Sequence, residues 1–338
     1  MKTADRRTFL KQLGRLGAIA TGLSCVQALS ADTDELPHNL PPLAHLPANK
    51  PIARQAKSIV ARAIDPMILT GTKLHENALL TLIEKGLRLA TDSATATQAW
   101  QGLLKPDDVI GIKFDAGCFS TLGTGVPFAA QLVKSLEQAG FDRQNMVLID
   151  VPVPLARELK TRPRRFGWQM NETSFGSGSE RLAAVLDQIT AMINVPFLRT
   201  DNLSGICGCI KNGSLPFVMR QSRYFSNGCS PFLADILALP QIQGKLRLHL
   251  INGLRGIYAN SAFGHGNQRW PFAGILVSTD PVAADSVALD VINTQRATVK
   301  LPPLGDSRGQ LAHIHAGVER SLGTDDQDYI HILKPSGI

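Results

Sequence analysis

Four cysteines lie beyond residue 30: Cys118 in DAGCFS, Cys207 and Cys209 in SGICGCIKNG, and Cys229 in NGCSP. Four thiolates meeting at one point would hold zinc or an iron–sulfur cluster. An even count in an exported chain also suits disulfides. The C-x-C spacing is not the usual CxxC of either metal class, and a direct Cys207–Cys209 bridge is geometrically poor. Three outcomes stay open: disulfides from this pair to Cys118 or Cys229, a four-thiolate site, or free thiols.

The charged residues make a second set. Lys113 sits inside the apolar run VIGIKF, and a lysine there needs a partner or a ligand. Asp115 follows that run, and Asp150 ends MVLID. Arg199 and Asp201 follow INVPFL, Asn252 and Arg255 follow LHLI, and Asp280 follows ILVST. Ligands of open α/β sheets gather at the carboxyl ends of strands. If these ends share one edge, Lys113, Arg199, Lys211 and Arg255 would bind a small anionic ligand. Asp115 and Asp201, with Lys211, are then the candidate catalytic groups, and Asp150 a further acid or base. Gly205, Asn212, Asn252, His265 and Asp280 complete the candidate ligand-binding set.

Asp280 precedes Pro281 and equally suits a helix cap. His265, between Gly264 and Gly266, is the histidine best placed for a site, whereas His313 and His315 read as surface or helix-capping residues. Glycines at 117, 123, 125, 205, 208, 213, 253 and 256 would form loops whose amides approach an anion in a cleft. No phosphate-binding GxxxxGK[ST] loop, strand-linked GxGxxG, nucleophile elbow, HExxH or EF-hand pattern occurs.

The elements that must position these groups alternate. Residues 76–90, 128–138 and 281–292 carry helical apolar spacing, and 179–190 reads as a helix too. Residues 109–114, 146–150, 192–195, 247–251, 274–277 and 329–333 read as strands, several without a polar face. The expected fold is α/β: a mixed, mainly parallel sheet flanked by helices on both faces, with the glycine-rich loops forming a cleft at the strand carboxyl ends.

Residues 1–30 carry Arg6-Arg7 before Phe9-Leu10-Lys11, a weakly apolar run and a small-residue cleavage pattern at Ala28-Leu29-Ser30. This is a twin-arginine signal peptide, and it implies the twin-arginine translocation machinery as partner and a periplasmic location. That route carries folded proteins, often with a cofactor already inserted. Residues 31–54 read as a Pro-rich linker and 55–335 as a single domain. Of the formal charge of +7, the leader holds +4, five cations against Asp5, so the remainder is an ordinary surface. Nucleic-acid binding is not expected, nor is a transmembrane span in the mature chain.

INVPFLRTDNLSGICGCIKNG, LINGLRGIYAN and GILVSTDPVAADSVALDVI, in that order, resemble the domain-of-unknown-function 362 family across roughly 55–335. By position, Gly205, Lys211 and Asn212 match the family's TGVTxxLKN segment, and Asp280, Pro281 and Asp285 its DPVALD segment. The family's Thr-His is replaced by Thr200-Asp201, and its pattern does not ask for cysteine at 207 or 209. Some relatives carry ferredoxin-type cysteine runs, so the resemblance implies an iron–sulfur or other metal-linked redox role. No CxxCxxC run is present here.

Overall fold

The computed structural model describes residues 57–71, 73–259, 268–305 and 310–335. The leader, the linker and His265 lie outside these residues.

The chain opens with β1 (Ser58–Ile64), the short hairpin β2 (Leu69–Thr70) and β3 (Lys73–Leu74), and helices α1 (Glu76–Thr91) and α2 (Ala96–Leu103). A parallel crossover follows: β4 (Ile110–Phe114), α3 (Gly125–Gln138), β5 (Met146–Ile149) and α4 (Val153–Glu158). A separate hairpin, β6 (Trp168–Phe175) and β7 (Gly178–Ala183), leads to β8 (Ala191–Val195), β9 (Phe197–Asp201), β10 (Gly205–Ile206) and α5 (Cys209–Ser214). Helices α6 (Phe232–Leu237) and α7 (Pro240–Gln243) precede β11 (Leu246–Ile257), β12 (Arg269–Trp270) and β13 (Gly274–Ser278). The last elements are α8 (Pro281–Thr298), α9 (Ala312–Glu319) and β14 (Ile330–Leu333).

The main sheet runs β14-β1-β13-β11-β8-β4-β5, with β9, β10 and β12 attached to its β11 side. The pairs β14–β1, β11–β8, β8–β4 and β4–β5 are parallel, and β13 is antiparallel to both its neighbours. The sheet is mixed and mostly parallel, as expected. Strand periodicity sends alternate side chains to opposite faces. Val147 and Ile149 of β5 thus join one core with Leu233 of α6 and Val282 of α8. Met146 and Leu148 join the other with Leu82 of α1 and Leu132 of α3. Helices cover both faces, which is why β4, β8 and β13 are buried throughout and show no alternating polar face.

Two expectations change. Residues 179–190 are not a helix: β7 pairs with β6, and only Ala184–Asp187 makes a 3-10 turn. The apolar spacing of RLAAVLDQI fits either period over so short a run, and the partner strand β6 is largely exposed and carries little pattern of its own. The second correction concerns direction. Because β13 runs against the other six strands of the path, its carboxyl end lies at the opposite edge from those of β4, β5 and β8.

Asp280 is therefore separated from the other acids. Its carboxylate accepts from the amides of Val282 (2.9 Å) and Ala283 (2.8 Å), from Ser58 Oγ (2.5 Å) and from the amide of Thr324 (3.1 Å). It caps α8 and ties β1 and the approach to β14 to the same point. A Cβ on Gly323 would fall on this carboxylate, which accounts for glycine there. Asp280→Ala is expected to cost about 2–4 kcal/mol, more than a helix cap alone. Asp280→Asn, which keeps part of the cap, should cost less; urea unfolding of the two variants checks this.

Candidate functional site

At the carboxyl edge of the parallel strands, the charged side chains form two short lines. In the first, Lys113 Nζ donates to Asp150 Oδ2 (2.9 Å), Asn212 Oδ1 (3.0 Å) and the Phe114 carbonyl (2.6 Å). Lys113 is fully buried, so the partner its sequence context demanded is an ion pair. Asp150, in the left-handed region at φ 62°, turns its second oxygen to Arg164 (2.7 Å). Asn212 Nδ2 donates to Asn194 Oδ1 (2.7 Å), whose own amide reaches the Cys209 carbonyl (2.8 Å) and His249 Nδ1 (3.1 Å).

In the second line, Arg199 Nε donates to Asp115 Oδ2 (2.6 Å), with Nη2 on Oδ1 (3.3 Å). Strand alternation puts Asp201 on the same face of β9, with its Oδ2 3.7 Å from Arg199 Nη1. Asp201 Oδ1 accepts from Lys211 Nζ (2.6 Å), the Leu203 amide (3.0 Å), and the amide and hydroxyl of Ser204 (both 2.9 Å). Lys113 also acts electrostatically on Asp115 and couples the two lines.

Burial pushes the carboxyls of Asp115, Asp150 and Asp201 upward, but the adjacent cations outweigh it and all three stay below the ordinary carboxylate range. Burial works against the Lys211 ammonium, and Asp201 overcomes it, so Lys211 is held protonated. These states bind charge well. Asp115 and Asp201 have no proton to give near neutrality, and Lys211 is no nucleophile there.

Of the thiols, Cys207 touches the second line at Asp115. Cys118, Cys207, Cys209 and Cys229 are all buried, and none of the expected disulfides is formed among the described residues. Among the described residues, no three or more His, Cys, Asp or Glu side chains are grouped to hold a metal ion. Burial pushes the Cys118 thiol up to about 12 and Cys229 up to about 11, with Cys207 and Cys209 well above their ordinary value. Cys207 Sγ lies 3.6 Å from Asp115 Oδ2 and Cys209 beside Asp285, carboxylates that disfavour a thiolate. As placed, the four residues do not fit a zinc or iron–sulfur site.

The spacer in Cys-Gly-Cys has its own cause. Asp285 of α8 accepts from the amides of Cys209 (2.5 Å) and Ile210 (3.0 Å), the first of α5. A Cβ on Gly208 would fall on that carboxylate. Gly205, at φ +83°, lets the 202–205 turn pack under Leu311, where a Cβ would meet the leucine side chain at 2.7 Å. Asn252 bonds within the sheet, its amide to Pro196 O (2.8 Å) and its side chain to Thr124 (3.4 Å). Arg255 reaches the Leu122 carbonyl (2.9 Å). The edge thus gathers Lys113, Asp115, Asp150, Arg199, Asp201, Lys211 and Asn212, and Asp280 stands apart. Surface hollows beside Asp65–Lys85 and beside Pro66–Phe272 are lined by other residues.

Arg164 belongs to the basic cluster Arg162-Pro-Arg164-Arg165, which in sequence reads as a solvated loop first and an anion-facing rim second; sequence reasoning missed Asn194, a polar residue inside the buried strand AMINV that carried the same signal as Lys113. His313 was placed at the surface but is completely buried, while its neighbour His315 is exposed.

Fold and edge together define a mixed α/β protein whose parallel strands end in a buried, cation-rich charge network. The chain belongs to the family described as "Domain of unknown function (DUF362)", whose model matches residues 123–290. The match spans the first two motif segments and most of the third, including Asp280 and Asp285. No curated protein and no solved structure matches the chain.

Two predictions follow from the Asp285 joint. Gly208→Ala should destabilise by about 1–3 kcal/mol, since either α8 or α5 has to shift; thermal unfolding reads this. Burial raises the Asp285 carboxyl from 3.8 to about 7, so the folded state holds a proton there that the unfolded state has lost. Its contribution to stability is complete below about pH 4 and lost as pH rises towards about 7, at on the order of 1 kcal/mol per pH unit. Stability curves of wild type and Asp285→Asn should therefore draw together, or cross in the variant's favour, between those pH values. Parallel curves would contradict this.

Proposed function

We propose that this chain, carried in folded form by the twin-arginine machinery to the periplasm, binds a small anionic ligand at the carboxyl edge of its sheet. The observation that carries the reading is the charge balance of the buried network. Four cations, Lys113, Arg164, Arg199 and Lys211, face three carboxylates, Asp115, Asp150 and Asp201. The excess positive charge falls at the partly exposed Arg164 rim of the network, and an anion at this edge would neutralise it. Asp150 and Asp115 sit directly after parallel strands, where ligands of such sheets bind, and Arg255 lies a strand away. The ionisation states favour holding charge over moving protons, so binding is the reading in preference to acid–base turnover.

No helix among the described residues is long and apolar enough to cross a membrane, which accords with a mature chain outside the bilayer. A thiolate-bound metal with a redox role is the alternative that the export route and the family suggest; the buried, protonated and ungrouped thiols give it no support.

Sulfate, phosphate and succinate, each titrated into the purified mature protein, should give at least one saturable rise in melting temperature. Lys211→Ala should abolish that rise or weaken apparent affinity at least tenfold. The reading is lost if none of the three anions shifts the transition, or if Lys211→Ala responds as wild type does.

A further inference from the structure

His313 is the least explained polar residue of the molecule. Its side chain is 0% exposed, and among the described residues neither ring nitrogen has a hydrogen-bond partner. Buried polar groups are nearly always paired, because leaving one unpaired forfeits its hydration without return. A histidine so placed is either strain without return or the wall of a site whose partner arrives from outside.

Its surroundings favour the second. The residue two positions before it, Leu311, donates its amide to the Ser204 carbonyl (3.1 Å) and packs its side chain where Gly205 leaves room. The first turn of α9 is thereby fastened onto the turn that carries Asp201 and Ser204. Helix α9 also packs on α5, which carries Lys211, and His313 is close enough to Lys211 and Asp201 to feel both charges.

Donor counting then separates the two buried lysines. An ammonium has three donors. Lys113 spends all of them, on Phe114, Asn212 and Asp150. Lys211 spends two, on Asp201 (2.6 Å) and Ser204 Oγ (3.4 Å), and its third has no acceptor among the described residues. Its side chain keeps 10% exposure against 1% for Lys113, so the unspent donor is also the more reachable one. Burial holds His313 down to about 3, so the ring is neutral and offers one N–H.

We infer that the anionic group of the ligand, a carboxylate or a small oxyanion, sits between Lys211 and His313, accepting one hydrogen bond from the ammonium and one from the imidazole N–H. This rests on the anion reading above and narrows it: Lys211 and His313 touch the ligand, while Lys113, Asp150 and Arg164 support the edge behind them. His313 then ceases to be unpaired when the ligand is bound.

The test uses the mature protein labelled with 15N-histidine, titrated with succinate and, separately, with sulfate. One imidazole should shift its ring 15N resonances along the same saturation curve as the melting-temperature rise. That signal should be missing from His313→Gln, and the variant should bind roughly tenfold more weakly, the loss of one hydrogen bond to a charged group. If an anion binds but no imidazole responds, the His313 placement is overturned and the anion reading stands. If none of succinate, sulfate and phosphate binds at any concentration up to saturation of the buffer, both are overturned. The wild-type titration decides the matter even if the variant does not fold.

Discussion

The carboxylate of Asp285 is the interaction on which the functional edge depends. It comes from the middle of the buried face of α8 and receives the first two amides of α5. A six-residue helix has little stability of its own, because nucleation costs more than so few hydrogen bonds return. Anchoring its start to a long helix fixes where its side chains point. Two of these are Lys211 and Asn212, one on each line of charge. Gly208 is the residue that lets the carboxylate come so close, so the C-G-C spacing is a consequence of the joint and the flanking sulfurs are core packing.

From this joint the division of labour between the two edges of the sheet follows. The reversed β13 delivers Asp280 to the edge where β1 begins, and there its carboxylate is saturated by backbone and hydroxyl donors. Five residues later the same helix presents Asp285 to α5. One segment, DPVAAD, therefore locks the chain termini of the domain at one end and aims the site-bearing helix towards the other. Both acids require a glycine opposite them, Gly323 and Gly208, because each is enclosed on all sides. Their shared motif is structural, although a strand-end acid looks like a ligand when read alone.

Much of this was legible before any coordinates. Lys113 in an apolar strand called for a partner or a ligand, and the polar strand ends, Asp115 and Asp150 among them, raised the question of a shared edge. What could not be read was anything set by strand direction or by close approach. Strand periodicity is identical in both senses, so the sequence of β13 does not say at which edge Asp280 emerges. The run 179–190 needed its partner strand to decide between periods, and that strand is mostly polar and exposed. His313 and His315 differ by a rotation of 200° on one helix, and which of them is buried depends on what α9 packs against. The cysteines left three outcomes open for a different reason: an even count in a chain expected to be exported is a fair prior for bridges, but small buried apolar positions also suit unbridged cysteine.

The charge network also explains why a site of this kind can be nearly closed and still receptive. Asp201 is held from four directions, by Lys211, Ser204 twice and Leu203, so it does not need the whole of the Lys211 ammonium. Arg199 is fixed by both oxygens of Asp115 and keeps a further positive charge beside Asp201. An anion approaching Lys211 thus meets a cation whose position is already set and whose counter-ion is stabilised elsewhere. Little has to reorganise, which is the condition under which charged hydrogen bonds contribute most to affinity. The same bonding would penalise a cation at this position, because Asp201 Oδ1 already has four donors and Asp115 is held by Arg199. On the anion reading, preference for negative charge would come from holding the acids with protein donors and leaving one ammonium donor over.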